Sequence, residues 1–272
     1  MAEEKVALFD FCGTMINFQS ADAYVQFVKE HVPHDFRMNF IEFVRKIFVK
    51  SQVMRVLEKL NRRGSINKKT LLREIQGLSQ SEMEKLAEKF YHERIRPNYI
   101  PEVIEAVKKY HAEGYKLLIV SGGYDIYLKY VADEFGFDDV LATCLEFNDG
   151  KFTGHYKGED CMNKHKVILL KKYFGREDLR DCNSVAYSDS RSDVPMMKFC
   201  RRGIAVLQKL RMPPPRNYLD GENGLMLTVL RCSHGRKNTK EHKVFIESKF
   251  ISSSMLSENQ RCLLPISADF FR

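Results

Sequence analysis

The sequence predicts an α/β fold: a doubly wound parallel sheet with an all-helical block inserted after its first strand. Three observations carry this. A short apolar run, Val6 to Phe9, ends in Asp10 and a Gly13-Thr14 turn. From about Ala21 to Tyr91, apolar residues recur at helical spacing. Beyond Pro97 and Pro101, apolar strands alternate with amphipathic helices, the pattern of parallel βα units.

Taken in order, residues 5–9 read as a buried strand. The inserted block follows, with Ala21, Tyr24, Val25, Phe27 and Val28 on one helical face. Phe40, Phe43, Val44, Ile47 and Phe48 form a second such face, and Val53, Val56, Leu57 and Leu60 a third. Ser79 with Glu82 three residues on is a capping box that opens another helix. Glu102 to Glu113 is a helix stopped by Gly114. Tyr115 to Val120 is a continuous apolar strand of the kind buried on both faces of a parallel sheet. Asp125 to Phe135 is a helix; Val140 to Phe147 is a strand running through Asn148-Asp149-Gly150 into a hairpin with Lys151 to His155. Lys164 to Phe174 is a helix, and Ser184–Tyr187 and Gly203–Val206 are short strands. The α/β pattern closes near Leu230. The expected division is a core of residues 1–16 and 96–230, a helical block of 17–95, and a C-terminal extension, 231–272. The extension is polar and basic, and reads as a loosely attached helix with a partly disordered end.

Composition narrows the function classes. The chain has 272 residues, 44% of them hydrophobic, enough for a substantial core. No apolar run approaches the ~20 residues of a membrane span. The start, Met1-Ala2-Glu3-Glu4-Lys5, lacks the basic and apolar regions of a signal peptide. Seven cysteines without a CxxC pair argue against a disulfide framework or structural zinc site, and for a reducing, cytoplasmic setting. The net charge is +8, and Phe36 to Arg73 holds eleven Lys/Arg against Glu42 and Glu58. That excess reads as solvated helix faces, or as a field gathering small anionic substrates. No nucleic-acid recognition motif accompanies it.

Four clusters fall at predicted strand ends, where ligands of such sheets sit. Asp10 with Thr14 follows the first strand. Ser121-Gly122-Gly123 offers a hydroxyl and flexible backbone N–H groups to a phosphate. Lys166 can neutralise a bound phosphate. Asp189 and Asp193 are two carboxylates of the kind Mg2+ takes together with substrate phosphate and water.

Together these motifs resemble the haloacid dehalogenase-like superfamily, most closely its phosphoserine-phosphatase-like branch, whose helical cap follows the first strand. The resemblance rests on Asp10-Phe11-Cys12-Gly13-Thr14, Ser121-Gly122-Gly123, Lys166-Val167 and the run from Tyr187 to Met197. The Asp149–Gly154 hairpin and the Gly158–Cys161 segment add to it, and it covers about residues 5–210. It implies a Mg2+-dependent phosphatase for a small phosphorylated metabolite. In such proteins the residue at Asp10 attacks phosphorus and becomes a phospho-aspartate. Asp10 and Asp189 would hold the metal, with Cys12 through its backbone carbonyl and Asp193 orienting the metal shell. Thr14, Ser121, Gly122, Lys166 and Ser192 would grip phosphate, and Gln19 would meet the substrate.

Two residues depart from that pattern. Active phosphatases of the superfamily carry at position 12 a carboxylic acid that handles the proton, whereas a thiol titrates near ~8.5 and is a weak hydrogen-bonding group. Slow turnover, a long-lived phospho-aspartate or a substitute base is expected, with His155 and His165 as candidates by chemistry. Other branches of the superfamily lack this acid and remain active, and a phosphotransferase or a catalytically impaired phosphate-binding protein are the alternative readings. Gln19 stands where the branch places a glutamate for the ammonium of phosphoserine, which points to a neutral or anionic metabolite. Arg37, Arg45, Arg55, Arg62 and Arg63 are candidate anion readers, and Asp22 is a cap-hinge residue or a helix N-terminal acid.

Overall fold

The computed structural model describes residues 4–32, 65–207, 226–231 and 245–249; residues 65–67, 207 and the last two segments are described as backbone only. The second and third faces of the helical block, and the five arginines just named, lie outside the described residues. The strands are β1 (Lys5–Phe9), β2 (Lys116–Tyr124), β3 (Asp139–Thr143), β4 (Leu145–Asn148), β5 (Lys151–Tyr156), β6 (Asn183–Ser188), β7 (Arg202–Leu207), β8 (Met226–Arg231) and β9 (Phe245–Lys249). Seven of them form one sheet in the order β3-β2-β1-β6-β7-β8-β9. Its pairings are parallel except β8 with β9.

β1 is central because it is apolar on both faces. Val6, Ala7, Leu8 and Phe9 are fully buried, and strand alternation sends them to opposite sides. Ala7 and Phe9 join one hydrophobic cluster, Val6 and Leu8 the other; Leu117/Ile119 and Leu118/Val120 of β2 divide the same way. Phe9 stacks on Tyr187 at 4.8 Å between ring centroids and meets Phe137 edge-on at 5.9 Å. Helices α4 (Pro101–Ala112) and α5 (Asp125–Phe135) cover the first face; α6 (Lys164–Phe174) and α7 (Val194–Phe199) cover the second. This is the doubly wound arrangement the βα alternation predicts. The order reverses at β1, so the crevice between the ends of β1 and β6 is the switch point where ligands bind.

The inserted block contributes α1 (Ser20–His31), α2 (Ser65–Arg73) and α3 (Gln80–Phe90). It packs on α5 through aromatic rings: Tyr24 and Phe90 each meet Tyr127 at 5.3 Å, and Phe90 meets Tyr24 and Phe27 at 5.4 Å. A buried ion pair, Lys29 to Glu74 at 2.8 Å, ties α1 to the end of α2. The Ser79–Glu82 capping box is formed in both directions.

The structure differs from the sequence expectation in three places. β2 continues through Ser121-Gly122-Gly123 to Tyr124 after a register shift against β3, so the glycines sit in an irregular strand end rather than in a separate turn. The strand expected over Val140–Phe147 breaks at Cys144: β3 stays in the main sheet while β4 and β5 pair as a two-stranded hairpin. In the C-terminal extension the described segment is the antiparallel edge strand β9, not a helix.

Candidate active site

The end of β1 is fastened before its side chains are placed. Asp10 N–H donates to the Tyr187 carbonyl at 2.9 Å, and Gly13 N–H to the Ile16 carbonyl at 2.8 Å. Gly13 has φ +78°, and a Cβ there would lie 2.2 Å from a carboxylate oxygen of Asp189. Only glycine lets the β1 and β6 loops approach this closely.

Asp10 is 5% exposed and held from both sides. Lys166 Nζ donates to its Oδ1 at 2.6 Å, and Thr14 Oγ1 to its Oδ2 at 3.0 Å. Thr14 in turn accepts the Asp189 backbone N–H at 2.9 Å, and its hydroxyl lies 3.3 Å from Asp189 Oδ1. Lys166 also donates to Asp193 Oδ2 at 2.6 Å, which Ser188 Oγ contacts at 2.9 Å. Lys166 opens α6 from the opposite face of the sheet, which carries its ammonium into the crevice.

The charges explain the titration of these groups. Burial raises the Asp10 carboxyl and neighbouring Asp193 adds to this, while Lys166 opposes it. Burial also raises Asp189, to about 6, with the charge of Asp10 as the next cause. For Lys166 burial works against the charge, but Asp10 and Asp193 outweigh it and the ammonium titrates above its usual range. Among the described residues Lys166 pairs with Asp10 and Asp193, and Thr14 links Asp10 to Asp189, so three carboxylates gather at one crevice. Such a cluster of hard oxygen donors fits a divalent cation of the Mg2+ type. The carboxylates placed to share it are Asp10 and Asp189; Asp193 instead faces Lys166 and Ser188. Among the described residues no group of three His, Cys, Asp or Glu side chains converges as a metal cage.

Above these groups lies a cavity of about 520 Å³. Asp10, Cys12, Gln19, Ser121, Gly122, Lys166, Asp189, Ser192 and Asp193 all line it, so the sequence candidates converge except Thr14, which lies beneath the carboxylates it bridges. Asp22, in the first turn of α1, lines it too. No histidine does. His165 is turned to Glu159, and His155 is exposed on β5, so neither stands in for the missing acid.

Cys12 is half-buried, and its thiol is occupied. Sγ lies 3.0 Å from Ser20 Oγ and receives the Ser20 backbone N–H at 3.3 Å. Ser20 Oγ reaches the fully buried Tyr127 hydroxyl at 2.7 Å. Burial, then the nearby Asp10 carboxylate, pushes the thiol up to about 11.

Sequence reasoning missed Ser20 and Tyr127, which read as a helix start and a core aromatic, and it missed Lys68 and Asn163. Lys68 reaches the cavity from α2, where its helical position looks like that of any solvated lysine. Asn163 precedes α6 with φ 52° and lines the cavity without capping the helix.

Residues 7–198 match the model of the haloacid dehalogenase-like hydrolase family. A phosphoserine phosphatase of Methanocaldococcus jannaschii is 28% identical over 76% of this chain and 87% of its own length. One from a Polaromonas species is 24% identical over 83% of this chain and 88% of its own. Among solved structures, a Bordetella pertussis Tohama I protein of unknown function superposes with a TM-score of 0.61 at 24% identity, covering 75% of this chain and 91% of that one.

Proposed function

The chain belongs to the haloacid dehalogenase-like hydrolases, and from that premise we propose that it is a Mg2+-dependent phosphatase, hydrolysing the phosphate monoester of a small metabolite through a phospho-aspartate on Asp10. One observation carries the reading: a buried carboxylate held between Lys166 at 2.6 Å and Thr14 at 3.0 Å, at the switch point and facing the cavity. The two relatives reported above bear phosphatase names, and the substrate they name does not transfer at 28% and 24% identity.

In this reading Asp10 attacks phosphorus and the alcohol leaves. Lys166 and Ser121 hold the phosphoryl oxygens, with the Gly122 backbone and Ser192 at the rim. Asp10, Asp189 and the Cys12 carbonyl would hold Mg2+, which when bound would supply charge neutralisation between the two anions that must meet. Asp193 orients Lys166 rather than binding the metal directly. Thr14 fixes the spacing of Asp10 and Asp189. Gln19, just before α1, and Asp22, in its first turn, line the cavity on the side of the leaving group. No helix among the described residues is long and apolar enough to cross a membrane, and a cytoplasmic setting fits the reduced cysteines.

Cys12 favours a second outcome at the same site. A thiol pushed up to about 11 is protonated at neutral pH and activates water poorly. The phospho-aspartate then persists, and an alcohol seated in the cavity can take its phosphoryl group in place of water, its oxygen displacing the Asp10 carboxylate and its proton passing to solvent.

The test is phosphate release from para-nitrophenyl phosphate and a metabolite panel, with Mg2+ and with EDTA, in wild type and Asp10→Asn. Release that requires Mg2+ and Asp10 is expected, and transphosphorylated product on adding alcohols identifies the transferase outcome. Wild-type turnover by Asp10→Asn would remove the nucleophile assignment. Tight fluoroberyllate binding without turnover or transfer would mark a phosphate-binding protein that has lost catalysis.

A further inference from the structure

Ser121 can hold a phosphate only if its hydroxyl proton is free, and the backbone beside it decides that. Gly123 N–H donates to Ser121 Oγ at 3.0 Å, filling an acceptor position and leaving the proton for a ligand. The same planar peptide carries the Gly122 carbonyl on its opposite edge. Turned over, that peptide would present its carbonyl to Ser121 and take the proton. Two successive glycines do little to resist the rotation.

Lys68 resists it. From α2 its ammonium donates to the Gly122 carbonyl at 2.5 Å, to Asp160 Oδ1 at 2.6 Å and to Thr143 Oγ1 at 3.2 Å. Thr143 passes its own proton to Asp160 Oδ1 at 2.6 Å, so it accepts from Lys68. An ammonium has three donors, and all three are engaged. Lys68 is 5% exposed, and its charge also lies 5.1 Å from the centre of the Tyr124 ring. Although it lines the cavity, it has no donor left for a substrate.

We propose that Lys68 is a positioning residue that locks the Gly122–Gly123 peptide so that Ser121 remains a phosphate donor. Phosphate grip thereby depends on the helical block being seated on the core. The inference rests on the reading of Ser121 as a phosphate ligand.

The test compares wild type with Lys68→Met and with Lys68→Met/Asp160→Leu; the double replacement leaves no buried charge unpaired if the single one fails to fold. Inorganic phosphate affinity is measured by calorimetry. KM and kcat are measured for para-nitrophenyl phosphate and for 3-phosphoglycerate. Phosphate affinity is expected to fall at least about tenfold in both variants, with KM rising by the same factor for both esters. In a Ser121→Ala background the Lys68 replacement is expected to add no further loss. A KM effect confined to the carboxylate-bearing ester would make Lys68 a substrate reader and overturn the proposal. So would unchanged phosphate affinity, or an equal loss in the Ser121→Ala background. A wild-type protein that neither binds phosphate nor turns over either ester would instead overturn the reading of the site on which this one rests.

Discussion

Replacing Cys12 by aspartate addresses the step that this chain is least equipped to perform. The thiol lies 3.0 Å from Ser20 Oγ, and burial pushes it up to about 11, so it is protonated at neutral pH. Hydrolysis of a phospho-aspartate needs a base for the attacking water, and positioned acid–base help is typically worth about 10²–10⁴-fold. Cys12→Asp places a carboxylate against the Ser20 backbone N–H, which now donates to Sγ at 3.3 Å at the start of α1. That N–H favours the ionised form of the new acid. Steady-state hydrolysis is therefore expected to rise about 10²–10⁴-fold. In stopped-flow experiments with para-nitrophenyl phosphate, wild type should show a burst of nitrophenol followed by slow turnover, and the variant should lose the burst. Equal dephosphorylation rates in the two proteins would refute the reasoning, because another group would then be moving the proton.

Three further outcomes follow from the geometry. Gly13→Ala places a Cβ 2.2 Å from an Asp189 carboxylate oxygen at φ +78°, so turnover should fall about 10²-fold or more while circular dichroism keeps the native fold. Asp189 is raised to about 6 in the metal-free protein and must ionise to bind metal. Mg2+ affinity should therefore weaken as pH falls through that value, by about tenfold per unit for this one proton, with proton release on binding that calorimetry in two buffers detects. Phe9→Ala removes a fully buried ring stacked at 4.8 Å on Tyr187 and should lower unfolding stability by about 3–5 kcal/mol in urea titrations.

What could be read from the sequence was local. β1 and β2 are continuous apolar runs because both faces of the sheet are covered, and Asp10, Ser121, Lys166 and Asp189 follow from the rule that parallel strands deliver their loops to one edge. The Ser79–Glu82 cap was legible because it is a contact between near neighbours. The break at Cys144 was not, since the apolar pattern runs through it and only the pairing of Leu145–Asn148 with Lys151–Tyr156 divides it. Nor was the setting of Cys12: Ser20 reaches Tyr127 across 107 residues, and Lys68 reaches Asp160 across 92. Such long-range polar pairs leave no periodicity, and each partner alone looks like an ordinary surface or core residue.

The central claim, that Asp10 carries the phosphoryl group, is tested most directly by trapping it. Wild-type protein is mixed with para-nitrophenyl phosphate and Mg2+, quenched with borohydride and mapped by tandem mass spectrometry. The account requires the label on Asp10, its absence with EDTA and its absence in Asp10→Asn. Mg2+-dependent phosphate release with an unlabelled Asp10 peptide, or a label on another residue, would contradict it.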